Sequence, residues 1–316
     1  MHNYEICCVG HLTLDKIVTP KETVYMSGGA SFYFSHAVSK LNSDYILVAG
    51  LAESELQAVE DLRAKGIKVD VMLCKNSVYF ENTYGENQDN RTQRVLAKAD
   101  PFVMAAMNNI QANYFHIGAL LADDFSNEFV EELSKRGKIS IDCQGYLREV
   151  RGDKVYPVDW ADKLEVLKFV DVLKANEMEM KVLTGTSDVY KAARLLNSWG
   201  VKEVLLTLGS MGSVLYDGEN FTMIPAFKAE VVDATGCGDT YMAGYLYKRA
   251  KGESVEEAAR FAAAMATIKI EAFGPFTGTE EDVQTAMEKR EISIPTEDIL
   301  ACLLYTSPSP RDRQKS

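Results

Sequence analysis

Short apolar runs alternate with amphipathic stretches along most of the chain, and this alternation predicts an α/β fold. Residues 4–9 form an apolar run that ends at Gly10, as in a strand buried on both faces of a sheet. Over residues 53–65 apolar side chains recur every three positions, which predicts an amphipathic helix. Further apolar runs of the buried-strand kind occur at residues 45–49, 114–117, 138–142, 170–175 and 203–208.

At least six buried strands therefore alternate with helices. Because crossovers between parallel strands are right-handed, this order predicts a mostly parallel sheet with helices on both faces. Ligands of such folds bind beyond the carboxyl ends of the strands. We expect one site where five loops that follow predicted strands meet, at residues 10–15, 142–148, 176–179, 207–212 and 231–240.

Two segments have a different pattern. Residues 16–27 and 69–97 contain alternating, β-branched and aromatic positions broken by turn residues, which is typical of hairpins. We expect them to form a small antiparallel β lid that shields a reactive centre from water. A sheet that joins two copies of the chain in a homodimer is the competing role.

The most informative stretch is residues 231–240, which read VVDATGCGDT. Gly236 and Gly238 flank Cys237, Asp239 follows at once, and the next residues have a helical pattern. Glycines allow the backbone to approach a phosphate closely, and the N–H groups at a helix N-terminus bind anions. An ordinary strand-to-helix turn with Asp239 as a first-turn acid is the alternative.

Composition limits the partners. The chain has 316 residues, of which 47% are hydrophobic, enough for a sizeable core. Its 34 Lys and Arg against 46 Asp and Glu give a net charge of -12, which argues against nucleic acid as the main partner. Neither a membrane-spanning run nor a signal region is recognisable, so the expected compartment is the cytoplasm.

The six cysteines have neither the spacing of a metal site nor the density of a disulfide scaffold, so reduced thiols are expected. Cys237 lies at a presumed helix N-terminus, where a thiol pKa can be lowered. A small residue that fills a tight turn is the favoured role.

The C-terminal segment is set apart from the fold. Residues 302–312 read CLLYTSPSPRD and resemble a translated sequencing adapter. We therefore expect a single domain over residues 1–301 and an artefactual tail over residues 302–316.

With these motifs in place, residues 4–294 resemble the ribokinase-like (PfkB) family of carbohydrate and nucleoside kinases. The late VVDATGCGDT stretch is similar to a family motif with a Gly-Ala-Gly-Asp core. The resemblance implies that Asp239 is the base that deprotonates the attacking hydroxyl, and that Gly236, Cys237 and Gly238 form the anion hole. Asn176 and Glu179 are similar to the family's Asn-x-x-Glu, which implies that they position Mg²⁺ and phosphates, with Glu179 acting on the metal through water.

The resemblance also assigns the two substrates. It implies a nucleotide-side loop at Thr207, Gly209 and Gly212, and a segment over residues 273–278, with Gly274, that flanks adenine and, in some members, a monovalent cation such as K⁺. The residues implied on the acceptor side are Asp15, Gly28, Gly29, Tyr33 and Arg148. Tyr33 stands where the family usually has a sugar-binding Asn, so the motif does not identify the acceptor.

Within the predicted lid, residues 79–84 and 91–94 resemble family members that act on polyols or sugars, including inositol kinases. Asn82 and Arg94 equally suit the exposed face of a hairpin.

The leading hypothesis is an ATP- and Mg²⁺-dependent kinase of a small sugar or polyol. A nucleoside kinase with the same machinery is the alternative, and an acceptor panel separates the two. A non-catalytic ligand-binding protein on the same fold would be stabilised by ligands without forming ADP. A Rossmann dehydrogenase is disfavoured because no glycine fingerprint follows the first strand.

Overall fold

The computed structural model describes residues 2–84 and 91–294, and two β-sheets organise this part of the chain. The larger sheet has nine strands in the order β15-β14-β13-β12-β9-β8-β1-β4-β5. Seven of them, from β13 to β5, run parallel, while β14 and β15 form an antiparallel hairpin at one edge. Its strands are β1 (Asn3–His11), β4 (Tyr45–Ala52), β5 (Val69–Cys74), β8 (Gln111–Gly118), β9 (Lys138–Asp142), β12 (Val172–Asn176), β13 (Glu203–Thr207), β14 (Ser213–Tyr216) and β15 (Phe221–Ile224).

Helices cover both faces of this sheet. The described helices are α1 (Ala30–Val38), α2 (Leu56–Ala64), α3 (Asn127–Ser134), α4 (Lys163–Val166), α5 (Glu177–Thr184), α6 (Val189–Ser198), α7 (Cys237–Ala250), α8 (Val255–Ile270) and α9 (Glu280–Lys289). The helix predicted over residues 53–65 begins with a 3₁₀ turn at Glu53–Glu55 and continues as α2.

The alternation of side chains along β1 shows why both faces need helices. Cys7 and Val9 pack into one apolar core with α3, α4, α5 and α6, whereas Ile6 and Cys8 pack into a second core with α1, α2, α7, α8 and α9. A strand that is apolar on both faces can be buried only between two layers. The predicted α/β fold, a mostly parallel sheet with helices on both faces, is confirmed.

The second sheet has six strands in the order β10-β11-β7-β6-β2-β3. They are β2 (Thr13–Val18), β3 (Thr23–Gly28), β6 (Val78–Tyr84), β7 (Arg91–Ala97), β10 (Arg148–Arg151) and β11 (Lys154–Pro157). Val78, Phe80 and Val95 pack with Leu120 and Leu121, which follow β8. The second sheet is thereby attached to the carboxyl edge of the first.

The predicted limits and pairing of the β lid are partly wrong. Val69–Cys74 pairs with β4 in the nine-stranded sheet, and β10 and β11, which the pattern does not predict, join the second sheet through Lys154 and Arg94. Strands β2 and β6 pair in parallel, so the second sheet is mixed. An alternating pattern shows that one face of a strand is buried, but it does not show which sheet buries it.

Two predicted features lie outside the described residues: the turn at residues 85–90 of the lid and the tail at residues 302–316. Among the described helices, none combines the length and apolarity that crossing a membrane requires.

Candidate active site

The glycine turn leads directly into α7. Gly236 is the residue before the helix and has a left-handed backbone (φ 75°, ψ 6°), and a Cβ at this position would collide with the ring of Tyr33. Glycine is therefore required for both conformation and space. The Cys237 N–H donates to the Ala234 carbonyl (3.2 Å), whereas the N–H groups of Gly238 and Asp239 lie in the first turn, where a helix supplies no partner. These two groups can bind an anion.

Behind this turn lies a buried ion pair. Lys174 in the middle of β12 is 5% exposed, and its ammonium donates to Asp142 Oδ2 at 2.6 Å. A Cβ on Gly238 would lie 2.9 Å from Lys174 Nζ, so the ammonium is directly below the turn. Burial alone would lower the pKa of Lys174, but the Asp142 and Glu179 carboxylates outweigh it and hold the pKa above its usual range. Lys174 is thus a positive charge beneath the anion-binding N–H groups.

Asp239 lies in the first turn of α7, as the pattern predicts. Its pKa is raised to about 7, mainly because burial disfavours the carboxylate and also because Asp142 is close, while Lys174 and Arg148 act in the opposite direction. A carboxylate with an ordinary pKa could also accept a proton from a hydroxyl group during the reaction. The raised pKa makes Asp239 a stronger base that is still substantially ionised near neutral pH.

Asn176 and Glu179 form a capping box at the start of α5. Glu179 Oε1 accepts a hydrogen bond from Asn176 Nδ2 and Oε2 accepts one from the Asn176 backbone N–H, both at 2.8 Å. Ligand atoms of Glu179, Asp142 and Cys143 lie within 4.8 Å of one another. The two carboxylates suit Mg²⁺, and the thiol does not. Because both Glu179 oxygens already accept hydrogen bonds, the geometry is compatible with contact to the metal through water.

The residues predicted on the acceptor side lie on the six-stranded sheet and at the start of α1. Asp15 on β2 lies against Gly28 on β3, close enough that a Cβ on Gly28 would clash with Asp15 Oδ2. Gly29 precedes α1 with a φ of 96°. Arg148 begins β10. Burial and the Asp142 carboxylate raise the pKa of Glu179, as they do that of Asp239, and the positive charge of Arg148 acts in the opposite direction at both groups.

Tyr33 is 6% exposed, and its ring supports the turn at Gly236. A role in acceptor binding stays a prediction.

The donor-side residues follow β13 and α8. Thr207 ends β13, and Gly209 opens the 3₁₀ turn Gly209–Met211. Gly212 (φ 100°) passes so close to the Ile224 carbonyl that a Cβ would not fit. Gly274 donates its N–H to Asp233 Oδ2 (3.3 Å), and the neighbouring Phe273 side chain is 82% exposed.

Cys237 behaves as a packing residue. Burial raises the pKa of its thiol to about 11, so the helix N-terminus does not produce a thiolate.

Lys174 is the buried charged residue of the candidate site that the pattern missed. A charged residue inside the apolar strand β12, two positions before Asn176, is the signal that could have revealed it.

Comparison with known proteins points to one family. The sequence model described as "pfkB family carbohydrate kinase" matches residues 4–282. A cytidine kinase from Thermococcus kodakarensis is 26% identical over 267 residues, which are 81% of this chain and 92% of that protein.

Two solved structures are similar in fold and sequence. A pyrophosphate-dependent kinase in the ribokinase family, complexed with a pyrophosphate analog and myo-inositol, has a TM-score of 0.80 and 28% identity over 89% of this chain and 99% of that one. A pyrophosphate-dependent myo-inositol-1 kinase that was converted into a myo-inositol-3 kinase by changing an Asn and a Ser to Leu has a TM-score of 0.79 and 26% identity, covering 90% of this chain and 99% of that one.

Proposed function

The chain belongs to the pfkB family of carbohydrate kinases, and from this premise we propose that it transfers the terminal phosphate of ATP to a hydroxyl group of a small sugar or polyol. The observation that carries the proposal is the position of Asp239, a carboxylate with a pKa of about 7, in the same helical turn as the anion-binding N–H groups. The reaction forms a bond between the acceptor oxygen and phosphorus. A base and an anion hole on one turn can act on these two atoms together, the base on the acceptor hydroxyl and the anion hole on the phosphoryl group.

In the proposed reaction, Asp239 accepts the proton of the acceptor hydroxyl as the oxygen of that hydroxyl bonds to phosphorus. The bond between phosphorus and the leaving phosphate oxygen breaks at the same centre. The N–H groups of Gly238 and Asp239 stabilise the charge on the transferring phosphoryl group, and Lys174 adds a positive charge from below.

Mg²⁺ would be held at Asp142 and Glu179, with Glu179 acting through water. When bound, it supplies positive charge that neutralises the donor phosphates. In this chain Asn176 orients Glu179 by two hydrogen bonds, and Lys174 holds Asp142 in place by a hydrogen bond to its Oδ2.

The acceptor preference is supported by one face of the second sheet, which we call the acceptor face and which consists of Asp15, Ile17, Phe80, Asn82, Gln93 and Val95. These residues are register partners or alternate along their strands, so their side chains share a face. Phe80 and Val95 on this face pack toward the nine-stranded sheet.

Asn82 contradicts the expectation of an exposed hairpin face. It is 7% exposed, and its Oδ1 accepts a hydrogen bond from Gln93 Nε2 at 3.0 Å. Arg94, by contrast, lies on the outer face, paired with Glu81 and Asp153. An amide pair both donates and accepts hydrogen bonds, as do the hydroxyls of a polyol.

The similar inositol kinase strengthens this assignment. Replacing an Asn and a Ser converts that enzyme from a myo-inositol-1 kinase into a myo-inositol-3 kinase. Those two residues are eleven positions apart in its sequence, as Asn82 and Gln93 are in this chain. We therefore propose that Asn82 and Gln93 contact the acceptor hydroxyls.

A nucleoside acceptor is the second candidate, since the cytidine kinase of Thermococcus kodakarensis is related over most of its length. For the donor, the exposed aromatic ring of Phe273 beside the open loop at Gly274 supports a nucleotide whose base stacks there. Pyrophosphate is the competing donor, because both of the similar solved kinases described above are pyrophosphate-dependent.

One panel tests acceptor and donor together. The purified chain is incubated with myo-inositol, ribose, fructose, cytidine or adenosine, each with ATP or with pyrophosphate, and the phosphorylated product is followed by ³¹P NMR. Transfer from ATP to a sugar or polyol supports the proposal. Transfer to nucleosides alone establishes the second candidate, and ligand-dependent thermal stabilisation without transfer indicates a binding protein.

A homodimer formed through the second sheet stays a proposal. Val24 and Tyr25 on the edge strand β3 are 41% and 59% exposed, as an interface would require. Sedimentation velocity measures the oligomeric state of wild type and of Tyr25→Lys. We expect a dimer for wild type and a monomer for the variant.

A further inference from the structure

A second buried lysine lies behind the glycine turn. Lys269, in the last turn of α8, is 1% exposed. Its ammonium donates to the Asp233 carbonyl at 2.9 Å, to Asp233 Oδ2 at 3.2 Å and to the Ala272 carbonyl at 3.2 Å. An ammonium has three N–H donors, and here three oxygens receive them.

The oxygens around Lys269 resemble the ligands of a hard cation. Two backbone carbonyls and a carboxylate are oxygen donors of the kind that bind such ions. Asp233 remains charged: burial would raise its pKa, but the Thr235 N–H and the Lys269 ammonium outweigh burial and hold the pKa below its usual value. The protein therefore provides its own positive charge in a cation-type oxygen cage.

This cage connects the two loops that the reaction uses. Asp233 lies three residues before Gly236, and its Oδ1 accepts the Thr235 N–H at 2.9 Å. Asp233 Oδ2 accepts the Gly274 N–H at 3.3 Å, and the Asp233 N–H donates to the Ile270 carbonyl at 3.0 Å. Lys269 thus fixes the segment that enters the anion hole against the donor-side loop.

We propose that the Lys269 ammonium replaces a monovalent cation in this chain and positions the anion hole, so that the protein works without K⁺. K⁺ does not fit here, because the oxygens of Asp233 and Ala272 that would bind it already accept hydrogen bonds from the Lys269 ammonium. Lys269 is a positioning residue, since it acts on phosphate through Asp233 and the turn. The role in catalysis rests on the proposed kinase function, whereas the exclusion of K⁺ can be tested without it.

The test is a cation-rescue experiment. Thermal unfolding and phosphotransfer are measured for wild type, Lys269→Ala and Lys269→Met in KCl and in choline chloride at equal ionic strength. Wild type is expected to unfold and turn over equally in both salts. Lys269→Ala removes the ammonium and leaves room among the oxygens, so K⁺ should raise its melting temperature by about 2 °C or more and restore about tenfold of lost kcat/KM.

Two further variants separate positioning from packing. Lys269→Met refills the space without charge, so it should lose activity and gain nothing from K⁺. Lys248→Ala is the matched control, because Lys248 on α7 also pairs with a carboxylate, Glu280 at 3.1 Å, but outside the cage. It should show no preference for K⁺.

A melting temperature or turnover of wild type that rises specifically with K⁺ would overturn the proposal. So would a folded Lys269→Ala that responds equally to both salts. If Lys269→Ala folds in neither salt, the wild-type comparison decides. If no acceptor is phosphorylated, the kinase function fails while the melting temperatures still test the cation replacement.

Discussion

The two sheets contribute different chemistry to the candidate site. The carboxyl edge of the nine-stranded sheet places buried charges, Asp142 and Lys174, beside Asp239 at the start of α7. The acceptor face of the six-stranded sheet carries one acid, Asp15, and a neutral hydrogen-bonded pair, Asn82 and Gln93. Charges act on any phosphoryl group, whereas a neutral amide pair distinguishes one arrangement of hydroxyls from another. We therefore expect the edge of the nine-stranded sheet to govern phosphoryl transfer and the six-stranded sheet to govern the choice of acceptor.

The largest expected effect is that of Asp239→Asn. This variant tests whether the charged groups at the edge of the nine-stranded sheet and the start of α7 act on every acceptor equally. Removal of a general base should lower kcat by about a hundredfold or more with each acceptor, because the hydroxyl keeps its proton. Initial rates on two or more accepted compounds measure it. Turnover near that of wild type would show that the base is elsewhere.

Lys174→Met should have the next largest effect. It leaves Asp142 as a buried, uncompensated charge, which should destabilise the fold by about 3–5 kcal/mol and lower kcat about tenfold or more with all acceptors. Urea unfolding and initial rates measure the two losses.

The double variant Lys174→Met/Asp142→Asn is the control for Lys174→Met. It should recover stability without recovering turnover, and recovery of both would restrict Lys174 to a structural role.

The pH dependence should come next. Asp239 must be ionised to accept the proton, and its pKa is raised to about 7 by burial and by Asp142. The kcat/KM should therefore rise with pH through about 7 and reach a plateau above it, with a loss of roughly tenfold at one unit below the pKa. A rate that is flat between pH 6 and 8 would contradict this assignment.

The smallest expected effect is confined to the second sheet. Asn82→Leu should change the ratio of kcat/KM between two acceptors by about tenfold while the better acceptor keeps most of its kcat. Thr92→Leu is the matched control, since Thr92 neighbours Gln93 but is exposed on the opposite face of β7. An equal loss on all acceptors would assign Asn82 to sheet stability.

Much of the site could be predicted because its key parts are contiguous. The ten residues 231–240 contain the glycines, the acid and the start of α7, so local sequence alone specifies their geometry. The strand-helix alternation likewise predicts which loops share one edge of the sheet. The capping box at Asn176 and Glu179 could be predicted as well, because its two residues are only three positions apart in the sequence.

Other features could not be predicted, because they depend on partners far along the chain. The membership of β5, β10 and β11 in their sheets follows from strand pairing, which periodicity does not encode. The burial of Asn82 depends on which face of β6 turns toward the core.

The amino-acid sequence by itself determined the α/β fold and the glycine turn at residues 231–240 that leads into α7. Only the tertiary structure decided that Tyr33 packs against Gly236, that Lys174 pairs with Asp142, and that Lys269 fills a cage of oxygens from Asp233 and Ala272. The physical reason is that backbone conformation and hydrophobic period are local, whereas a buried charge is defined by the opposite charges and carbonyls that folding brings to it.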